Sequence, residues 1–183
     1  MPRYVAFLRA VNVGGRHLVR MDFLRRLFES LGFSNVETFI ASGNVVFEAA
    51  SKDARALERE IEGRLREALG YEVAAFVRTD AELAAIAGYR PFSQPELDSA
   101  AALNIAFLAE GLDGEAGRRL KDLRTEIDDF HSHGREVYWL CRKKQSGSKI
   151  SNAVLEKALG RKSTLRGANT VKKMAAKYSK SEP

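Results

Sequence analysis

The sequence predicts an α+β fold of two ferredoxin-like β-α-β-β-α-β halves, with antiparallel sheets and helices packed on them. Three observations predict it. Short apolar runs of period two alternate with longer runs of helical period, in the order strand, helix, strand, strand, helix, strand. The same order returns after residue 101. Landmarks return with it: Leu69-Gly70 as Leu159-Gly160, and the hairpin glycine Gly43 as Gly134. This order is the split β-α-β unit. One mixed sheet built from the same elements is the alternative arrangement.

Tyr4–Val11 reads as the first strand. Tyr4, Ala6 and Leu8 share one face, and Val5, Phe7 and Val11 the other, so both faces are expected to be covered. After the loop Asn12-Val-Gly-Gly15, Met21–Leu31 has helical spacing and stops at Gly32. Val36–Ala41 and Asn44–Ala49 flank Ser42-Gly43, the signature of a tight hairpin. Asp53–Leu69 is a helix with the stripe Leu57, Ile61, Leu65, Leu69 and a stop at Gly70. Val73–Arg78 is a strand, and Thr79-Asp80 caps a short helix through Ala87.

Gly88–Ser99 holds Pro91 and Pro95 and few periodic apolar positions, so it reads as a linker. Strand Ala102–Ala109, helix Glu115–Leu123 and strands Ile127–Ser132 and Arg135–Arg142 follow, with the turn at His133-Gly134. Helix Ser151–Leu159, strand Ser163–Leu165 and helix Asn169–Tyr178 close the chain. The expected divisions are 1–88 for the first half, 89–101 for the linker, 102–178 for the second half and 179–183 for a disordered tail.

A hydrophobic share of 45% is ordinary for a packed core. No apolar run approaches the roughly 20 residues that span a bilayer, so no membrane partner is expected. No export signal is read at the N-terminus, and the lone cysteine, Cys141, forms no disulfide framework. The expected compartment is the cytoplasm. The net charge of +6 is unevenly spread. Residues 142–180 carry twelve Lys/Arg and one acid, Glu156, a net +11. Such a block suits a polyanion or a phosphorylated ligand, or simply a solvated face.

The antiparallel topology brings the Asn12–Gly15 loop and the Ser42-Gly43-Asn44 hairpin to the same end of the first sheet. By the same rule Lys143–Lys149 and Arg166-Gly167 share an end of the second. Gly14 and Gly15 before a helix can present backbone N–H groups to an anion, or merely allow a sharp turn. In Arg142-Lys-Lys-Gln-Ser-Gly-Ser-Lys149, the groups Ser146, Gly147, Ser148 and Lys149 suit a phosphate, with Arg166, Lys172 and Lys173 adding charge. His131 and His133 lie on one side of a strand without a third ligand at trusted spacing, so no metal site is expected. His17 has no identifiable partner, and Cys141, in the apolar run Val137–Cys141, reads as a buried inert thiol. Asp128 and Asp129 face opposite sides of their strand and form no dyad. An enzyme stays among the readings with no nucleophile matched to a base, and the cofactor is unknown from the sequence. The third strand, Asn44-Val-Val-Phe-Glu-Ala49, lacks the aromatic pattern of base-stacking RNA readers.

Four segments together resemble a known family. Leu8-Arg-Ala-Val-Asn-Val-Gly-Gly15 is similar to its Leu-Arg-Gly-Ile-Asn-Val-Gly-Gly, and Phe39-Ile-Ala-Ser-Gly-Asn-Val-Val-Phe47 to its Tyr-Ile-Gln-Ser-Gly-Asn-Val-Val-Phe. Gly147-Ser-Lys-Ile150 resembles its Ser-Lys-Leu, and Thr164-Leu-Arg-Gly-Ala-Asn-Thr-Val171 its Thr-x-Arg-Asn-Trp-Asn-Thr-Val. The chain is thereby identified as resembling the bacterial domain of unknown function 1697. The resemblance implies a cytoplasmic α+β protein with ferredoxin-like parts and no established activity. Its polar motif positions fall on Arg9, Asn12, Ser42, Asn44, Ser148, Lys149, Thr164, Arg166, Asn169 and Thr170, with Gly14, Gly15 and Gly43. This chain departs at Ala10 (for Gly), Ala41 (for Gln), Gly167 (for Asn) and Ala168 (for Trp).

These readings lead to the expectation of an anionic, phosphorylated ligand bound between the two halves. Arg9, Asn12, Gly14 and Gly15 would line one wall, and Ser148, Lys149 and Arg166 the other, facing the hairpin tips. The alternatives are a nucleic-acid binder using residues 142–180, and a non-catalytic structural protein whose Asn12, Asn44 and Asn169 hold turns.

Overall fold

The computed structural model describes residues 1–11, 18–40, 42–144 and 147–179. The chain divides into two compact units. One is Met1–Ala85 with the residues from Met174 onward, and the other is Ile86–Lys173.

The first unit runs β1 (Arg3–Leu8), α1 (Met21–Ser30), β2 (Ser34–Thr38), β3 (Asn44–Glu48), α2 (Ala54–Leu69), β4 (Ala75–Thr79) and the start of α3 (Asp80–Gly88). Its sheet order is β2-β3-β1-β4, with every neighbour antiparallel, which is ferredoxin-like. Strand alternation assigns the faces. Tyr4, Ala6 and Leu8 join Val45, Phe47 and Val77 in a core closed by Leu24, Phe28, Leu57 and Ile61 of the helices. Phe47 is its aromatic centre: Phe33 stacks on it at 4.6 Å, and Phe28 meets it edge-on at 5.5 Å. On the opposite face Val5, Phe7, Val46 and Phe76 are buried as well, in agreement with the two apolar faces of β1. Arg78 lies fully buried in the Val5–Val46 row.

Local chemistry bounds α2 and α3 where the sequence suggests. Asp53 accepts from the Arg55 and Ala56 amides to start α2, and Gly70 ends it in the left-handed region at φ 79°. The Thr79 hydroxyl accepts from the Glu82 amide and Glu82 accepts from the Thr79 amide, a reciprocal cap that starts α3. β1 stops at Leu8 rather than Val11, because Ala10 turns the chain at φ 60°.

The second unit contains α4 (Gln94–Ser99), β5 (Ala102–Phe107), α5 (Gly114–Asp122), β6 (Asp128–His133), β7 (Glu136–Cys141), α6 (Asn152–Leu159), β8 (Thr164–Gly167) and the start of α7 (Ala168–Tyr178). Its sheet order β6-β7-β5-β8 repeats the first topology. Ala106, Phe130, Val137 and Trp139 pack on Ala116, Leu120, Leu155 and Leu159 of α5 and α6. Gly134 takes φ 58° in the β6–β7 turn, at the position read from the sequence. α4 is an element within the stretch read as a linker. Ser93 and Glu96 form a capping box and Pro95 sits in the first turn, where its missing N–H has no helical partner to lose. Ser179, in the stretch read as a tail, donates its amide to Ala175. Residues 180–183 lie outside the described residues. Among the described residues no helix is long and apolar enough to cross a membrane.

Candidate functional site

At one end of the first sheet the chain leaving β1 is held on two sides. Leu8 donates its amide to the Gly43 carbonyl, and Arg9 donates to the Ala74 carbonyl, both at 2.9 Å. The hairpin tip and the β1 exit are therefore neighbours, as the topology requires. Gly43 has φ 82°, and a Cβ there would lie 3.1 Å from Val11 Cβ and 3.2 Å from Leu8 Cβ. Only glycine fits both the dihedral and the gap. Ala10 at φ 60° and the exposed, β-branched Ile40 at φ 48° add left-handed backbone at the same end. Asn44 is fully buried and donates to the Phe39 carbonyl at 2.9 Å and to Ser42 Oγ at 3.0 Å. Among the first-unit candidates, Arg9, Ser42, Gly43 and Asn44 thus belong to this end. Asn12, Gly14 and Gly15, together with His17, lie outside the described residues.

The second unit has a basic end. Asp128, the first residue of β6, is buried and accepts three hydrogen bonds: from Thr125 Oγ1 at 2.8 Å, Trp139 Nε1 at 2.9 Å and Ser148 Oγ at 2.8 Å. Ser148 Oγ in turn accepts from the Ile150 amide at 3.0 Å. One carboxylate therefore ties the segment before α6 to the start of β6. Beside it opens a cavity of about 310 Å³ lined by Thr125, Glu126, Ile127, Asp128, Gly147 and Lys149. Arg142 lies along the same turn: its amide donates to the Ile127 carbonyl and its guanidinium to that of Glu126. Lys143 and Lys144 are exposed just after it. Cys141 points its thiol at the Lys143 carbonyl, and burial raises its pKa, which suits an inert thiol.

The remaining candidates stand apart from that cavity's lining. Thr164 and Arg166 share a face of β8, and the Arg166 guanidinium donates to Thr164 Oγ1 and to the Leu165 carbonyl, each at 2.9 Å. Arg166 is buried, and desolvation lowers its pKa to about 10. Asn169 is exposed and Thr170 half-buried in the first turn of α7. His131 and His133 are both engaged by Tyr89. Its ring stacks on His133 at 3.8 Å, and its hydroxyl shares a 2.8 Å hydrogen bond with His131 Nε2. Asp129 pairs with Arg124 at 2.9 Å, on the side of the strand away from Asp128.

Asp128 is the organising residue that sequence reasoning passed over. Its signal was present: strand alternation puts it on the face of Phe130, and an acid on a core face must be satisfied internally.

Two antiparallel four-stranded sheets, each ferredoxin-like and the second ending in a basic loop, define a tandem ferredoxin-like α+β protein. A conserved bacterial protein, SP0830 from Streptococcus pneumoniae, shares this fold: TM-score 0.75, 24% identity, with 96% of this chain and 97% of that chain covered. The chain belongs to the family described as "Protein of unknown function (DUF1697)", whose profile matches residues 1–138. A search of curated proteins gives no match.

Proposed function

We propose that this chain binds a phosphorylated anion at the basic end of its second unit. The carrying observation is the Asp128–Ser148 hydrogen bond, which fixes the loop so that Gly147 and Lys149 line the 310 Å³ cavity. That volume lies within the usual range for small-ligand sites, roughly 300–1,000 Å³. Lys149 supplies the charge inside it, and Arg142, Lys143 and Lys144 raise the local anion concentration. Glu126 and Asp128 also line the cavity and disfavour an anion close to them, so the phosphate belongs beside Lys149. The reading takes the protein to be bacterial and cytoplasmic, in keeping with its family resemblance and its single, unpaired cysteine.

The test is calorimetric titration with inorganic pyrophosphate and with a single-stranded oligonucleotide over a range of salt. A compact ligand held by one lysine gives a shallow salt dependence. A nucleic-acid binder that uses many cations of residues 142–180 gives a steep one. For the first-unit hairpin a second reading is favoured by a specific observation. Asn44 and Ser42 spend their polar groups on one another and on Phe39, so these motif residues act as a structural lock.

A further inference from the structure

A second cleft lies on the other face of the second sheet. Its floor is Leu103, Ile105 and Tyr138, and Leu97 of α4 closes one side. The segment bearing Ile86, Tyr89 and Arg90 forms a wall, and Ala168 and Lys172 of α7 line the cleft as well. The wall is fixed before any ligand arrives. Tyr138 donates its hydroxyl to the Ile86 carbonyl at 3.0 Å, and Tyr89 is clamped by His131 and His133. Among the described residues, no acid lines the cleft. Arg90 and Lys172 are exposed at its rim, and neither makes an ion pair among the described residues. The enclosed volume is about 50 Å³. At roughly 10–15 Å³ per water-sized group, that accommodates a tail of about three to five carbons.

We propose that this cleft is a binding site for a short-chain aliphatic monocarboxylate. The tail rests on Ile105 and Tyr138, where apolar burial favours it. The carboxylate lies at the rim, within reach of the Arg90 fork and the Lys172 ammonium. The N-terminus of α7, which begins at Ala168, adds partial positive charge on the same side. The site is separate from the Lys149 cavity and takes a different ligand.

The test is an NMR titration of the full chain with propionate, following the ring resonances of Tyr89 and Tyr138. The expected result is a saturable shift, with Kd on the order of 1 mM. Propionamide, which lacks the charge, and decanoate, whose tail exceeds the space available, should each bind at least about tenfold more weakly. Arg90→Glu and Lys172→Glu, both at exposed positions, should each weaken propionate by about tenfold or more. Ala168→Trp should abolish the shift while leaving the far-UV circular dichroism unchanged. Equal responses to propionate and propionamide, the absence of a saturable shift, or full binding by Lys172→Glu would each overturn the proposal.

Discussion

Asn44 and Phe39 are joined across their own hairpin: Asn44 Nδ2 donates to the Phe39 carbonyl at 2.9 Å while the Phe39 amide donates to the Asn44 carbonyl at 3.0 Å. The side-chain bond closes a turn whose tip, Gly43, receives the end of β1. Asn44→Ala removes the only donor that the side chain offers and leaves a part-buried carbonyl short of a partner. Stability should fall by about 1–3 kcal/mol. Urea unfolding monitored by circular dichroism checks it, and pyrophosphate affinity should not change.

Backbone conformation at the same end gives a paired prediction. Gly43→Ala places a Cβ at φ 82° against Val11 and Leu8. The left-handed conformation alone costs about 1–2 kcal/mol, and the contacts add to it. Ala10→Gly does the reverse at φ 60°. Relief of the left-handed cost outweighs glycine's extra unfolded-state entropy, so stability should rise by up to about 1 kcal/mol. Thermal midpoints of the two variants should move in opposite directions.

Asp128→Ala strips the shared acceptor from Thr125, Trp139 and Ser148 and leaves the indole N–H buried without it. A loss of about 3 kcal/mol or more is expected. The chain has a single tryptophan, so its fluorescence reports on this node alone. The emission of Asp128→Ala should shift even under conditions where the protein is still folded.

Alkaline pH should destabilise the fold. Burial raises the Cys141 thiol, and burial with the Glu136 carboxylate and Tyr89 raises the Tyr138 phenol. Groups with raised folded pKa values contribute fully below their unfolded values and lose that contribution as pH rises. The fall should begin near pH 8.5, where the unfolded thiol starts to ionise. Arg166 has the opposite sign: its folded pKa is depressed to about 10, so its contribution grows above that pH. The test window is therefore about pH 8.5–10. Denaturant midpoints should decline across it, and Cys141→Ala should flatten the early part of the decline.

Much of the fold was legible because it rests on local rules. The alternation in Tyr4–Leu8, the stop at Gly70 and the turn glycines Gly43 and Gly134 each follow from periodicity or backbone freedom. The same-end rule pairs the Ser42–Asn44 hairpin with Asn12–Gly15, which lies outside the described residues; within them, Leu8 at the exit of β1 bonds Gly43. α4 was missed because Pro91 and Pro95 read as breakers, whereas Ser93 and Glu96 build a cap around Pro95. The candidate site was less legible. Arg166 reads as a free cation, but its burial comes from tertiary packing that no local pattern records. Asp128 was weighed only against a dyad with Asp129, which strand alternation rightly excludes, when its meaning lay in the distant Ser148 and Trp139. Tyr89 gave no signal, since its partners are two histidines on another element.

The account's central claim is that Lys149 holds a phosphorylated anion in the Asp128–Ser148 cavity. Calorimetric titration of inorganic pyrophosphate into the wild-type chain and into Lys149→Glu, at low salt, tests it most directly. The account predicts saturable binding by the wild type and a loss of at least about tenfold in the variant, with the unfolding midpoint retained. Equal affinity in the two proteins, or no binding by the wild type, would contradict it.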